Sequence, residues 1–500
     1  MNFLELNIVL PKLCDPSRKR SVENLEEDMK KILVTLLLIT ACWLHAGSDT
    51  DIKKITLQDA IAETLKNNLD LKIEVINSQN SEETLKQRGS IFIPNFNLSF
   101  SNSETNRPSS GSFDGADVSQ NKRISLTMGL EKKFSLGGTV KVELDNSRNK
   151  SNSIYSTVNP TLYSTLTLSL NQPLLKGFGS FATKKDIYIA TNNLKKSKYQ
   201  LKSKIIDLIY STEQAYWNLV YAYENLAAKK KSLEQAEKFL KQNKKKVEIG
   251  TSAPIEILTA RAEVATRQSD IVSAEQRIQT EEENLKLQIN PKDKNVTLIP
   301  QEKPEVAPFN VNLNDYLLVA LKNRPDIAMA KLDLANFKIN VRYMKNQLLP
   351  DLSLQASYYT TAQGGSQLVF APGGSIFNRE VIGTIEKSIW DAMQETLQNK
   401  YLNFNLTLSL KIPLSLKKEK AQLASARLDF KKSFLTLKNL ENRVYSEVRN
   451  GIKEIQTNKK LFDKNDVALK LQEQKLKAEK MKLSVGLSTN YQVLTFQRDY

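Results

Sequence analysis

The amino-acid sequence predicts an α+β membrane protein with an internal two-fold repeat, in which strands of membrane type are continued by long coiled-coil helices. Three observations predict it. Segments from one half of the chain recur in the same order in the other half. The strand segments alternate strictly between apolar and polar residues. Two 69-residue stretches, 181–249 and 417–485, contain no proline and between them a single glycine, Gly451.

The repeat can be followed segment by segment. LQDAIAETLKNNLDL from Leu57 matches LNDYLLVALKNRPDI from Leu313 at an offset of 256, which also carries IPNFNLSF (Ile93) onto LPDLSLQA (Leu349). LTLSLNQPLLKGFG at Leu166 matches LTLSLKIPLSLKK at Leu406, an offset of 240. VEIGTSAPIEILTA at Val247 matches LSVGLSTNYQVLTF at Leu483 at 236, setting Gly250 on Gly486. The falling offset assigns extra residues to the first copy, most of them between Ile93 and Leu166. The first copy spans 55–290, a linker 291–312 follows, and the second copy spans 313–500. At the last offset, the equivalent of Asn290 would be about residue 526, so the second copy reads as incomplete at its C-terminal end.

Ahead of the repeats, Met29 opens MKKILVTLLLITACWLHAGSD. Two lysines precede an apolar run of about ten residues, Ile32 to Ala41, which is a signal-peptide core too short to span a bilayer. Residues 29–46 therefore read as a signal-peptide region, and 1–28, of mixed charge, as an upstream extension. Two cleavages fit. ITAC is similar to a bacterial lipobox and makes Cys42 a lipidation candidate; the rival cut follows Ala46. His45, Cys14 and Cys42 are the only histidine and cysteines of the chain. The body after Ala46 thus lacks Cys/His metal sites, histidine bases, thiol nucleophiles and disulfides. Lys and Arg number 72 against 55 Asp and Glu, a formal charge of +17. The lysines are spread along helical segments without a nucleic-acid motif, so the charge reads as a solvated surface.

The strands come next in each copy. Ile124, Leu126, Met128 and Leu130 interleave with Ser125, Thr127 and Gly129; Val140, Val142 and Leu144 with Lys141 and Glu143; Leu166, Leu168 and Leu170 with Thr167 and Ser169. Phe404, Leu406, Leu408 and Leu410 repeat the pattern. Period two sets one face against apolar surroundings and the other in water, as in a soluble sandwich or a membrane barrel.

The helices decide between those two. A helix of 69 residues is roughly 100 Å long at 1.5 Å per residue, more than any compact domain needs. Both long stretches carry a seven-residue stripe: Ile205, Thr212, Leu219, Leu226, Leu233, Leu240 and Val247 in the first, and Val448, Ile455, Phe462, Leu469, Leu476 and Leu483 in the second. Ile257, Val264, Ile271, Ile278 and Leu285 keep the period after the turn at Gly250. Such a repeat imposes coiled-coil packing, so each copy ends in a long antiparallel hairpin. The strands of one chain are too few to close a wide barrel, so closure needs several chains.

Taken together, the two-copy layout, the LTLSLNQPLLKGFG and LTLSLKIPL joints and the paired VEIGTSAPIEILTARAEV and LSVGLSTNYQVLTF tips resemble the TolC-type outer-membrane efflux family, over about Ile55 to Tyr500. The resemblance implies a trimer. Each subunit would give four strands to a shared twelve-stranded transmembrane β-barrel and its helices to a long periplasmic α-helical coiled-coil barrel. It implies a passive, non-enzymatic channel of a tripartite efflux or type I secretion system, lodged in the outer membrane with a large periplasmic portion and needing no cofactor. The implied partners are the homotrimer, a periplasmic adaptor (membrane fusion) protein, an inner-membrane transporter and outer-membrane lipid, with no nucleic acid. On this pattern Gly250, Thr251, Ser252, Gly486, Leu487 and Ser488 form adaptor-docking tips, and Glu256, Gln492 and Thr495 are pore-constriction candidates.

The chain departs from the family in two places. Between Asn106 and Pro160 it carries additional alternating segments around KFSLGGTVKVEL, either an extra hairpin or an extended external loop. Some relatives have two aspartate rings at the closed end of the tunnel, but Gln492 and Thr495 occupy those positions here. A tyrosine and an arginine that latch the closed state in those relatives match Leu483 and Ser488, leaving Glu256 as the one carboxylate. GFGSFATKK at Gly177 lacks the spacing of a phosphate loop and reads as a flexible joint. Tyr216, Trp217, Tyr221 and Tyr223 read as helix packing. The competing class of function is an outer-membrane-anchored coiled-coil structural or adhesive protein, from which ion conductance would separate a channel.

Overall fold

The computed structural model describes residues 52–109, 117–305, 312–372 and 380–499; residues 1–28, the signal-peptide region and Cys42 lie outside them. The first copy, led in by β1 (Ile52–Ile55), runs α1 (Leu57–Asn67), α2 (Leu69–Gly89), β2 (Asn95–Pro108), β3 (Val118–Lys133), β4 (Thr139–Ser151), β5 (Val158–Pro173), a single turn α3 (Ser180–Thr183), α4 (Lys185–Glu248) and α5 (Ile255–Ile289); β6 (Thr297–Pro300) lies in the linker after it. The second runs α6 (Leu313–Asn323), α7 (Pro325–Gln347), β7 (Asp351–Phe370), β8 (Val381–Lys387), α8 (Ile389–Leu397), β9 (Leu402–Lys411), α9 (Lys417–Ser484) and α10 (Asn490–Asp499). The equivalences read from the sequence hold: β7 starts 256 residues after β2, and α9 ends 236 residues after α4.

One sheet contains β2-β3-β4-β5-β7 in that order, all antiparallel, and β7 continues to two partners on its far edge. Its first half, Asp351 to Thr360, pairs with β9, and its last third, Gly365 to Phe370, pairs with β8. The interval between Asn106 and Pro160 is therefore an extra hairpin, β3–β4, inserted in the ladder between β2 and β5. This corrects the four strands expected per chain: among the described residues this sheet holds six long strands and the short β8. The alternation was strong enough to make strands of the insertion because its turn, Phe134 to Gly138, fits the joint below. Gly137 has φ +97°, and a Cβ there would meet Gly177 O at 2.9 Å, while Gly179 N donates to Leu136 O at 3.0 Å.

Register gives the sheet two chemically opposite faces. Phe96, Leu130, Val142, Leu168, Tyr358 and Phe404 lie in rows across paired strands, followed by Leu98, Met128, Leu144 and Leu166. These side chains are open to the surroundings; Phe96 is 66% and Phe404 79% exposed. The opposite face carries Ser99, Thr127, Asp145, Thr165, Thr361 and Asn405, and bonds across strands, as in Thr127 Oγ1 to Asp145 Oδ2 at 2.6 Å and the Thr165–Thr361 hydroxyl pair at 3.0 Å. A one-residue slip would exchange the faces, so the apolar pattern pins the register.

The strands turn into helices at a clasp between the repeats. Leu174 N donates to Leu352 O at 2.7 Å and Lys176 N to Pro350 O at 3.3 Å. Asn346, near the end of α7, accepts from Gly177 N at 2.8 Å and donates to Leu175 O at 3.3 Å. Gly177 and Gly179 have φ +76° and +95°, which fits their reading as joint residues. Halfway along the helices the chain has its main core. The parallel pair β1–β6 lies on α4 and α5, burying Ile55, Tyr216, Leu219, Leu285, Ile289 and Leu298. Tyr216 donates to Ile55 O at 3.3 Å and Tyr223 to Leu298 O at 3.3 Å, so this part of the aromatic cluster is packing.

The α4 stripe is buried or half-buried along its length, as the heptads require. In α9 only its ends are covered. Ile455, Phe462 and Leu469 are about half exposed within this single chain, which leaves an apolar strip for further helices.

The core makes a direct prediction. Tyr216→Phe should lower unfolding stability by about 1 kcal/mol, the worth of its hydroxyl bond, and Tyr216→Ala by about 3–5 kcal/mol. Urea midpoints of the detergent-solubilised protein, followed by helical circular dichroism, check both; equal midpoints would place the core elsewhere.

Candidate functional site

The two hairpin tips end in the same backbone motif. At the end of α4, Gly250 N donates to Val247 O at 3.0 Å and Thr251 N to Lys246 O at 2.8 Å. At the end of α9, Gly486 N donates to Leu483 O at 3.3 Å and Leu487 N to Lys482 O at 2.9 Å. These are the paired bonds of a Schellman cap, which needs a left-handed residue just past the helix. Gly250 and Gly486 supply it with φ +78° and +80°. A Cβ at either would meet nothing within 4 Å. Backbone conformation therefore demands these glycines, and crowding does not. Thr251 and Leu487 are exposed, Leu487 strongly so, and Ser252 and Ser488 are half-buried.

Four helices converge just behind the tips. Phe239 of α4, Ala260 of α5, Leu476 of α9 and Val493 of α10 form a buried cluster, with Leu240, Leu483, Leu494 and Phe496 against it. Leu483, which stands where some relatives carry a latch tyrosine, is thus part of this apolar seam. Ser488, at the arginine position, donates to Glu479 Oε1 at 2.6 Å. Glu479 also meets Lys482 at 3.4 Å, and the Ser488 hydroxyl holds its carboxyl below the usual glutamate range.

The three constriction candidates occupy different settings. Glu256 lies in the first turn of α5, where a carboxylate suits the helix dipole, and accepts from Asn490 Nδ2 at 3.0 Å. That bond ties the first tip to the start of α10. Gln492 completes a capping box: its backbone N donates to Thr489 Oγ1 at 3.3 Å and its Oε1 accepts from Thr489 N at 3.5 Å. Its Oε1 also accepts from Ser488 Oγ at 3.1 Å. Thr495 returns its hydroxyl to Tyr491 O at 3.0 Å, as Thr259 does to Ile255 O in the first copy at 3.2 Å. Two hydrogen-bonded groups thus lie at the tips, Glu256 with Asn490 and Ser488 with Gln492 and Glu479, with Thr495 one turn beyond Gln492. Sequence reading missed Glu479 and Asn490. The Thr-x-x-Gln spacing at Thr489 was a readable cap signal; the Glu479–Ser488 bond had none, because nine residues and a chain reversal separate its partners.

The approach to the tips is basic. A cleft of about 540 Å³ between α4, α9 and α10 is lined by Lys238, Lys245, Lys246 and Lys480 with Gln235 and Gln242. Lys475 covers the Phe496 ring at 4.1 Å. Lysines in a last helical turn also suit the dipole. Among the described residues no group of three His, Cys, Asp or Glu is placed to hold a metal ion.

Comparison with known proteins bears on the family and the fold. The sequence profile of the family described as Outer membrane efflux protein matches residues 135–290 and 317–500. Among solved structures, CusC, described in terms of folding and transmembrane channel formation, superposes with TM-score 0.62 at 15% identity, covering 91% of this chain and 88% of its own. The CmeC outer membrane channel of Campylobacter jejuni gives 0.61 at 17% identity, with 88% and 79% coverage. The outer membrane protein VceC of Vibrio cholerae gives 0.60 at 16%, with 88% and 89% coverage. A search of curated proteins finds no match.

Two outcomes test the tip geometry. Gly486→Val forces a left-handed β-branched residue and should cost about 1–2 kcal/mol locally, whereas Gly486→Asn should cost less. Amide exchange at Leu487 reads the difference; equal protection in both variants would mean that the cap is not held by this conformation. The depressed Glu479 carboxyl sets a pH dependence. Its contribution is complete above the unfolded glutamate value of about 4.3 and is lost as pH falls through the lower folded value. Tip protection, taken relative to the intrinsic amide exchange rate at each pH, should therefore fall on acidification in the wild type and lose that response in Glu479→Gln.

Proposed function

The chain belongs to the outer membrane efflux protein family, and from that premise we propose that it is the passive outer-membrane duct of a tripartite efflux or type I secretion system. In this reading the sheet lies in the bilayer and the helices extend into the periplasm. The tips receive cargo through an adaptor and an inner-membrane pump. The chain carries out no catalysis; energy and chemistry belong to the pump.

One observation carries the reading most directly: the sheet exposes a continuous apolar face and ends in two unpaired long edges, β2 and β9. Exposed apolar edges invite further pairing, and closure into a barrel removes them. β2 leaves the helical end and β9 returns to it, so the β9 edge of one chain meets the β2 edge of the next in the antiparallel sense. Three chains with six long strands each would make eighteen, a wider barrel than the twelve expected from the family pattern. Lipid would cover the apolar face and water the Ser/Thr/Asn face. The half-exposed strip of Ile455, Phe462 and Leu469 supports the same association at the level of the helices.

At the tips, Gly250, Thr251, Ser252, Gly486, Leu487 and Ser488 form the docking surface for the adaptor, and Glu256, Gln492 and Thr495 line the constriction. With one carboxylate per chain at these positions, the gate is a sparse ring of charge. Rings of charge set ion preference in narrow pores.

Two measurements test this. Native mass spectrometry in detergent should give a trimer that forms pores in planar bilayers; a stable, non-conducting monomer with full strand content would remove the duct and favour a scaffold. In single-channel recordings the wild type should show weak cation preference, and Gln492→Glu with Thr495→Asp should strengthen it and deepen block by multivalent cations. Unchanged reversal potentials would mean that these residues do not line the narrowest point.

A further inference from the structure

Helix α8 sits on the apolar side of the sheet. Its buried residues are Ala392, whose Cβ lies beside Gly364, and Thr396, and Ser164, Thr360 and Ala362 of the sheet are buried as well. Thr396 Oγ1 donates to Ser164 O at 2.9 Å. Ser164 shares its face with Leu166, Leu168 and Leu170, and Thr360 and Ala362 share theirs with Tyr358 and Ala356. The floor begins one rung beyond the last leucine of the belt, on the end of β5 away from the helices.

That floor is made of small residues for a physical reason. A Cβ on Gly364 would meet Lys387 O at 2.8 Å and Ser388 O at 3.0 Å, so the approach to α8 passes at backbone contact. α8 starts in a capping box, with Ser388 and Asp391 bonding each other's backbone N–H. It ends beside an ion cluster in which Glu395 takes both Lys387 and, at 2.8 Å, Lys400. A nine-residue helix could not hold itself in water; these contacts fasten it to the sheet.

The outward side of α8 is divided lengthwise: Trp390 and Leu397 form an apolar flank, and exposed Asp391, Gln394 and Gln398 form the polar remainder. Trp390 is 70% and Leu397 59% exposed, at positions seven apart on one helical face, and Tyr401 and Leu402 are exposed just after it. Trp and Tyr favour the boundary between headgroups and acyl chains, and amphipathic helices bury an apolar side there to about 5–10 Å.

We propose that α8 is an interfacial helix that seats Trp390 and Leu397 in the lipid of the outer leaflet, at the rim of the apolar belt. Continuity identifies the occupant: the helix is an extension of the belt that meets lipid, on the same face and one rung further out. The inference rests on the proposed membrane placement of the sheet, and it adds a rim that fixes the depth and tilt of the duct.

The test is depth-dependent quenching in the full-length trimer, reconstituted in phosphatidylcholine vesicles brominated either near the top or near the middle of the acyl chain. The Trp390 signal is the emission lost on Trp390→Phe. A Leu408→Trp variant in that background probes the belt. The shallow bromines should quench Trp390 more strongly than the deep ones, with the reverse order for the Leu408→Trp indole. Gly364→Leu, which unseats α8, should weaken the Trp390 quenching and leave the belt signal intact. If the belt indole is quenched and Trp390 is not, α8 faces water or protein and the inference falls while the membrane placement stands. If neither is quenched, the sheet is not in lipid and both fall.

Discussion

The antiparallel ladder between β5 and β7 is the constraint on which the rest of the structure depends. Among the described residues it is the only long strand pairing between the two repeats, and it runs without a register break from Thr161 opposite Gly365 to Pro173 opposite Ser353. Because side chains alternate with a period of two, that one register decides which face of the whole sheet is apolar. It also aligns the exits. Leu174 and Lys176 continue the bonding into the second repeat past the end of β5, and Asn346 closes on Leu175 and Gly177. The long helices leave the sheet from a joint whose geometry both repeats share.

Away from that joint, the two ends of the molecule face opposite requirements. The sheet has one exposed apolar face and one polar face, so hydrophobicity there selects its surroundings more than it builds a core. The helices bury their stripe against one another, and the core around Tyr216 gives them a fixed point with the β1–β6 pair. The uncovered middle of the α9 stripe and the edges β2 and β9 are the same feature at two levels: apolar or hydrogen-bonding surface that the described residues of this chain leave open.

The tips combine backbone and side-chain control. Two Schellman caps set the reversals, and they recur because the repeat preserved the glycines. The contacts that join the tips differ between the copies. Asn490 reaches Glu256, Ser488 pins Glu479, and Gln492 caps its own helix. Where aspartates in relatives would repel one another around a pore axis, this chain has hydrogen-bonding groups engaged with their own turns. The tips are held by local bonds and an apolar seam.

The sequence by itself determined the repeat, the strand alternation, the two unbroken helices with their heptads, and the glycines at both reversals. Each is a local property: a period of two or of seven, the absence of a breaker, or a backbone angle that only glycine adopts cheaply. The residue ranges of α4 and α9 agree with that reading to within a few positions because Pro and Gly mark their ends. Tertiary structure alone decided how the interval from 106 to 160 pairs, since alternation makes a strand without naming its neighbour. It decided that β7 serves both β8 and β9 on one edge, and that α8 lies on the apolar face, where Gly364 and Ser164 leave room. It also brought Glu479 to Ser488 and Asn490 to Glu256, because such bonds depend on where two reversing helices meet, a distance that no pattern in the sequence encodes.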